Sequence, residues 1–361
     1  MFETATQTAF RQAAPDPAAL FGWPAGFGTR FAVCIDTEEE FDWNAPLSRD
    51  SRSVTAIDSL PAMHAWFARR GVPLTYLVDH PVATTSSSIA VLRGLMDDGV
   101  TTIGTHLHPW VTPPFDEIVS PQTSFAGNLA PALEAAKLDA IGEAIIAAFG
   151  VAPQIYRAGR YGLGPHSLAL LAERGYRIDT SMRSGYCYTG EGGPDFRAIG
   201  NQAFRCGPRD ALLELPLTTI YTGALARGGA GLHDALGRVP RGRGLAARLR
   251  LMARVALTPE KMPLGAALGA IEAALDQKVS LLNFSFHSPT VVPGHTPYVR
   301  DTRDLAAFYA WWEAVLALLG SRGVRPVSGH DLLAATHAPA LASPARPPLG
   351  GAVVGACSST G

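Results

Sequence analysis

Long apolar runs are missing from this 361-residue chain. No stretch approaches the roughly 20 consecutive apolar residues that cross a bilayer, so a transmembrane segment is not expected. Residues 1–26 include Glu3 and Asp16 and have no apolar run behind a basic start, so a secretory leader is not expected and a cytoplasmic location is. Cysteine is scarce: Cys34, Cys187, Cys206 and Cys357 show no C-x-x-C spacing, and buried or bystander thiols are expected rather than disulfides. Neither sign of charge prevails. The net charge of -1 gives no global attraction to nucleic acid. Charged residues make up 17% of the chain against 47% hydrophobic, which excludes a disordered chain and fits a well-packed core. The length suits one large barrel or two smaller domains.

Short apolar, β-branched runs alternate with helical patterns, as in repeated β-α units around a largely parallel sheet. The pattern predicts strands at 30–36, 73–79, 101–105, 154–157, 176–179, 211–217, 280–287 and 324–327. Ile57, Leu60, His64 and Phe67 share one helical face, as do Leu138, Ile141, Ile145 and Phe149. A longer helix is expected after Asp301, with Leu305, Phe308, Trp312, Val315 and Leu319 as its apolar stripe and Gly320 or Gly323 as its stop. Asp36, Asp79, His106, Asp179 and His287 end several of these strands. In an α/β barrel such ends converge on one mouth, which favours a closed or partly closed barrel over an open doubly wound sheet.

Three regions fall outside this rhythm. Residues 1–29 form an N-terminal extension to a barrel at 30–337. Residues 222–257 carry Arg227, Arg238, Arg241, Arg243, Arg248, Arg250 and Arg254 against one acid, Asp234, and read as an inserted loop with a basic helix. Residues 338–361, dominated by Ala, Pro, Gly and Ser, are expected to be a disordered tail.

Two clusters carry chemistry. In the run Asp36-Thr37-Glu38-Glu39-Glu40, strand alternation sets Asp36 and Glu38 on one side with Thr37 and Glu39 on the other. Carboxylates that close need a cation or a proton between them. The second cluster is His106-Leu107-His108-Pro109-Trp110, where the extended His-x-His spacing points both imidazoles the same way. One carboxylate with two imidazoles is a three-ligand set that leaves room for water and substrate, as catalytic zinc requires. Such a site suits hydrolysis, which further needs a base and an acid.

These residues, with three later segments, resemble the motifs of the polysaccharide deacetylases with NodB-like domains, over roughly residues 30–333. The resemblance implies a distorted (β/α)7-8 barrel. It also implies a divalent metal, zinc first with cobalt or nickel as alternatives, held by Glu38, His106 and His108. Asp36 resembles the family's catalytic base. Ile155-Tyr-Arg157-Ala-Gly-Arg160-Tyr161-Gly162 is similar to the third motif, where an arginine orients the base and a backbone amide near Tyr161 serves the oxyanion. Gly175-Tyr-Arg-Ile-Asp179-Thr-Ser181 resembles the pocket-lining fourth motif, and Asn283-Phe-Ser-Phe-His287 the last, whose histidine is the general acid. Asp179 is the acid expected to keep His287 charged. Two choices stay open: Thr37 separates the first two carboxylates, leaving Glu39 as an alternative to Glu38, and Gly159 stands where proline is usual, leaving Arg157 or Arg160 as partner of Asp36.

The implied substrate is an N-acyl amino sugar or glycan precursor. The arginine-rich segment offers contact with a phosphate or lipid carrier, and Trp43, Trp110, Tyr161 and Tyr298 offer faces for sugar rings. Competing readings are a metal-free glycoside hydrolase with paired carboxylates and a degenerate carbohydrate-binding barrel.

Overall fold

The computed structural model describes residues 9–337. The expected disordered tail, 338–361, lies outside the described residues. The strands in chain order are β1 (Arg30–Thr37), β2 (Thr75–Val78), β3 (Thr102–Leu107), β4 (Ile155–Ala158), β5 (Ile178–Asp179), β6 (Phe204–Cys206), β7 (Leu212–Glu214), β8 (Thr219–Thr222), β9 (Ala253–Ala256), β10 (Leu281–His287) and β11 (Arg325–Pro326). All eight predicted strands are present within a few residues. The pattern missed only the short β6, β8 and β9.

The main sheet runs β10-β1-β2-β3-β4-β5-β7-β6, parallel throughout except for β6. It curls into a half-barrel, and the gap between β10 and β7 is bridged by irregular chain. The Asn283 backbone N–H donates to Thr218 Oγ1 at 2.9 Å, Leu257 N–H to Thr218 O at 3.2 Å and Ser285 N–H to Leu257 O at 3.3 Å. This is a distorted barrel, closed partly by the chain flanking the insertion.

Alternation sorts the side chains. Ala32, Cys34, Leu77, Ile155, Ile178, Leu213, Leu215 and Leu281 face inward and form a small inner core. Val33, Ile35, Tyr76, Val78, Ile103, Leu107, Tyr156, Phe284 and Phe286 face outward into a larger core shared with the helices. The predicted helical faces lie in Leu60–Ala68, Pro131–Phe149 and Thr302–Ser321. Asp301 caps the last of these, its side chain accepting from Asp304 N–H at 2.8 Å. Trp312, fully buried on this helix, packs against Phe67, Phe284 and Phe286 with ring centroids 5.1, 5.5 and 5.9 Å away.

The N-terminal segment packs on the barrel. Phe21 N–H donates to Ala203 O at 2.8 Å, and Trp23 stacks on Phe27 at 4.0 Å. Phe21, Trp23 and Phe27, with Leu333, cover the inner core at the end where the strands begin.

The arginine-rich region differs from the expected loop with one basic helix. β8 and β9 pair as an antiparallel ribbon, and two short helices, Gly229–Gly237 and Gly242–Arg248, connect them. Gly237, Pro240 and Gly242 interrupt the segment, so one long helix is not stable there. Among the described residues, no helix is long and apolar enough to cross a membrane, and Cys34, Cys187 and Cys206 are free.

Candidate metal centre and active site

Three donors converge where β1 and β3 end. Glu38 Oε2 lies 3.4 Å from His106 Nε2 and 3.4 Å from His108 Nε2, and all three side chains are buried. Both imidazoles have the other nitrogen engaged: His106 Nδ1 is 3.2 Å from Arg157 O and His108 Nδ1 is 2.7 Å from Glu39 Oε2. Each Nε2 lone pair is thereby left for the cavity. Glu38 Oε1 is buried with no hydrogen-bond partner.

The set fits a cation. Donors about 2.1 Å from a common tetrahedral centre stand about 3.4 Å apart, which is the separation found between Glu38 and each imidazole. Burial pushes the Glu38 carboxyl up to about 7 and the His108 imidazole down to about 4. A dry carboxylate facing neutral imidazoles is costly without a positive charge between them.

Glu39 stands behind this cradle. It accepts from Trp110 Nε1 at 2.8 Å as well as pairing with His108, and its own N–H donates to Asp79 Oδ2 at 2.6 Å. Trp110 stacks on the His108 ring at 4.2 Å. Glu39, Asp79 and His108 also form a compact buried group, but there the His108 nitrogen already faces Glu39, so Glu39 orients the imidazole from behind. Gly159 holds the other side of that ring: a Cβ there would lie 2.4 Å from His108 Cδ2 and 2.6 Å from Leu107 O. This close approach accounts for glycine at the position.

Asp36 and His287 are register partners across β1 and β10. Asp36 contacts Arg157 Nη1, and its Oδ2 lies 3.9 Å from His287 Nε2. The Arg157 guanidinium is fully buried and anchored by Nε to Thr180 O at 3.0 Å and Nη2 to Thr180 Oγ1 at 3.2 Å. Burial pushes Asp36 up, but Arg157, His106 and His287 together outweigh it and hold the carboxyl below its ordinary range. Burial likewise pushes His287 down, and the carboxylates of Glu260, Glu38 and Asp36 outweigh it and hold the imidazole well above its ordinary value.

The cavity over these groups measures about 1090 Å³. Trp43, Trp110, Tyr161 and Tyr298 all line it. Trp43 meets His287 edge-on at 5.3 Å and Tyr298 at 5.2 Å. Arg160 and Tyr161 both take left-handed backbone, φ 54° and 62°, which turns the chain sharply after β4 and brings Tyr161 to the pocket wall.

No family model matches the sequence. A search of curated proteins finds no match either. Solved structures do match. A candidate polysaccharide deacetylase from Mycobacterium smegmatis aligns with a TM-score of 0.52 at 17% identity, over 92% of this chain and 99% of that one. A candidate glycoside hydrolase/deacetylase from Parabacteroides distasonis aligns at 0.54 with 11% identity, over 86% and 70%. The fold is that of the polysaccharide deacetylases.

On this deacetylase-type barrel, Asp36, Glu38, His106, His108, Arg157, Tyr161 and His287 gather at one mouth, and Asp179 does not. Ile178 lines the barrel interior, so the next residue faces the outer layer. Asp179 there accepts from Ser181 Oγ at 2.5 Å and sits in register beside Glu214. The acid that contacts His287 is Glu260, whose Oε2 is 2.7 Å from Nδ1 while Oε1 accepts from the His287 N–H at 3.0 Å and from Thr290 Oγ1 at 2.6 Å. Sequence reasoning missed Glu260 because it stands in irregular chain after the insertion; its one signal was an acid closing the stretch that follows β9. Of the two arginines left open, Arg157 reaches Asp36 and Arg160 pairs with Glu191. Of the two glutamates, Glu38 faces the imidazole Nε2 atoms.

Proposed function

We propose that the protein is a divalent-metal-dependent hydrolase that removes an acetyl or formyl group from the nitrogen of an amino sugar, in a glycan or glycan precursor. The reading rests on the convergence of Glu38, His106 and His108 at the floor of a cavity that also presents Asp36 and His287. A divalent ion, zinc first with cobalt or nickel as alternatives, supplies a Lewis acid that polarises a carbonyl and acidifies water.

Glu38, His106 and His108 hold that ion, with Glu39 fixing the His108 ring. Asp36, ionised beside Arg157, takes the proton of the attacking water. Arg157 keeps the carboxylate aimed, because Thr180 fixes its own guanidinium. The Tyr161 N–H serves the developing oxyanion. His287, kept protonated by Glu260, gives its proton to the departing amine. Trp43 and Tyr298, flanking His287, offer faces on which a sugar ring can rest. A metal-free glycoside hydrolase would leave two buried imidazoles turned on one carboxylate oxygen without a task.

Elemental analysis of the purified protein, paired with an assay for acetate or formate released from acylated amino sugars, tests this. About one divalent ion per chain is expected, lost in His106→Ala and in His108→Ala. Asp36→Asn is expected to keep the ion and lose about 10²- to 10⁴-fold in kcat. Unchanged metal content in both histidine variants would sink the site. Metal loss in Asp36→Asn equal to that in Glu38→Ala would exchange the two carboxylates' roles.

A further inference from the structure

The wall of the cavity away from β1 is built by the chain after β5. Arg183, Tyr186, Tyr188 and Glu191 line it, together with Arg160 and Tyr161. The Arg183 guanidinium lies 4.1 Å from the Tyr186 ring centroid and 5.3 Å from that of Tyr161. Tyr188 stacks on Tyr161 at 5.4 Å and on Tyr186 at 5.9 Å, so three phenols frame one guanidinium. Arg254, on β9 of the ribbon, covers Tyr186 at 3.5 Å and donates to Gly185 O at 3.2 Å. The wall is therefore braced from outside by the insertion.

Charge pairing within the cavity is uneven. Arg160 is matched by Glu191, Asp36 by Arg157, and Glu260 by His287. Arg183 forms no ion pair with any described carboxylate, its charged and polar surroundings being tyrosines. The Tyr188 hydroxyl is buried and faces the Arg183 guanidinium, with no carboxylate or other strict hydrogen-bond partner beside it. A guanidinium that has no carboxylate to answer its charge is best satisfied by a bidentate oxyanion, to which a neighbouring hydroxyl can also donate. Sugar hydroxyls alone leave its charge unanswered. Arg183 and Tyr188 line the same cavity as the metal cradle, on the wall built by the chain after β5, with Tyr161 as their neighbour toward β4.

We propose that Arg183 and Tyr188 form a subsite for an anionic substituent, a phosphate or a carboxylate, carried by the substrate. This deepens the preceding reading and rests on it for the sugar itself. The substrate class then narrows from any acylated amino sugar to one that is negatively charged, and a neutral polymer is disfavoured.

Calorimetric titration of the metal-loaded protein with N-acetylglucosamine, its 1-phosphate and its uronic-acid analogue tests the subsite, with the acyl-release assay run on the same three compounds. At least one anionic sugar should bind about tenfold tighter than the neutral one, and the preference should shrink as salt is raised. The arm that shows the preference tells phosphate from carboxylate. In Arg183→Gln the preference should fall to about threefold or less, with partial recovery in Arg183→Lys; Tyr188→Phe, which keeps the ring stack, should lose part of it. Competition by inorganic phosphate against the bound anionic sugar gives the same answer in the unaltered protein. Equal binding of all three sugars, or a preference untouched in Arg183→Gln, overturns the subsite. Acyl release from the neutral sugar with no anionic preference removes the subsite and leaves deacylation standing. Anionic preference without acyl release from any of the three keeps the subsite and removes deacylation.

Discussion

Asp36 and His287 face each other across one ladder, and their surroundings drive them to opposite charge states. Arg157 stabilises the carboxylate and Glu260 the imidazolium, in each case against the effect of burial. On the proposed mechanism this separates base from acid over a wide pH range. The raised imidazole stays protonated above its ordinary pKa of about 6.5, so activity should persist into alkaline solution and fall only as pH passes the raised value. Glu260→Gln removes the charge that holds His287 up. The alkaline limb of kcat/KM against pH should then move down by about one unit or more, while the acidic limb, set by Asp36, stays within about half a unit. A profile unmoved on the alkaline side would mean that His287 is not the titrating acid.

Elements place these residues, and much of that placement was legible beforehand. The apolar runs ending in Asp36, His106 and His287 announced β1, β3 and β10, and strand parity chose Glu38 over Glu39. In β5 parity points the other way, Ile178 facing in and Asp179 facing out, so neither a strand-end position nor the likeness of residues 175–181 to a pocket-lining motif brings Asp179 to His287. Glu260 could not be found by periodicity, since Leu257 borrows hydrogen bonds from Thr218 and Ser285 without a regular strand around it. Nor does composition reveal close approach. Gly159, at the end of β4, supports the His108 ring by having no side chain. Gly159→Ala should therefore push the ring aside, weakening metal binding about tenfold or more in chelator competition, with a smaller change in melting temperature than a core truncation gives. Intact affinity would show that the ring has room to shift.

For the whole molecule, the two ends of the barrel have separate tasks. The strand C-termini hold the polar mouth, and the N-terminal segment with Leu333 covers the apolar floor. Trp23→Ala should cost about 2 kcal/mol in chemical denaturation, below the value for a fully buried tryptophan because Trp23 is half-buried. Metal content and KM should not follow. A change in KM would show that floor and mouth are coupled. The way the barrel closes has a further effect, on the time course of synthesis. Among the described strands β1 is made first, and one edge of it is completed only by β10; the bond from the Glu38 N–H to Ser288 Oγ joins positions 250 residues apart. At ribosomal speed that edge, with Phe31, Val33 and Ile35 on its outer face, waits on the order of 10 to 50 seconds for its partner. A strand of another nascent chain meets the same unpaired backbone during that interval. Misassembly would begin there, on the strand that carries Asp36, before β10 emerges.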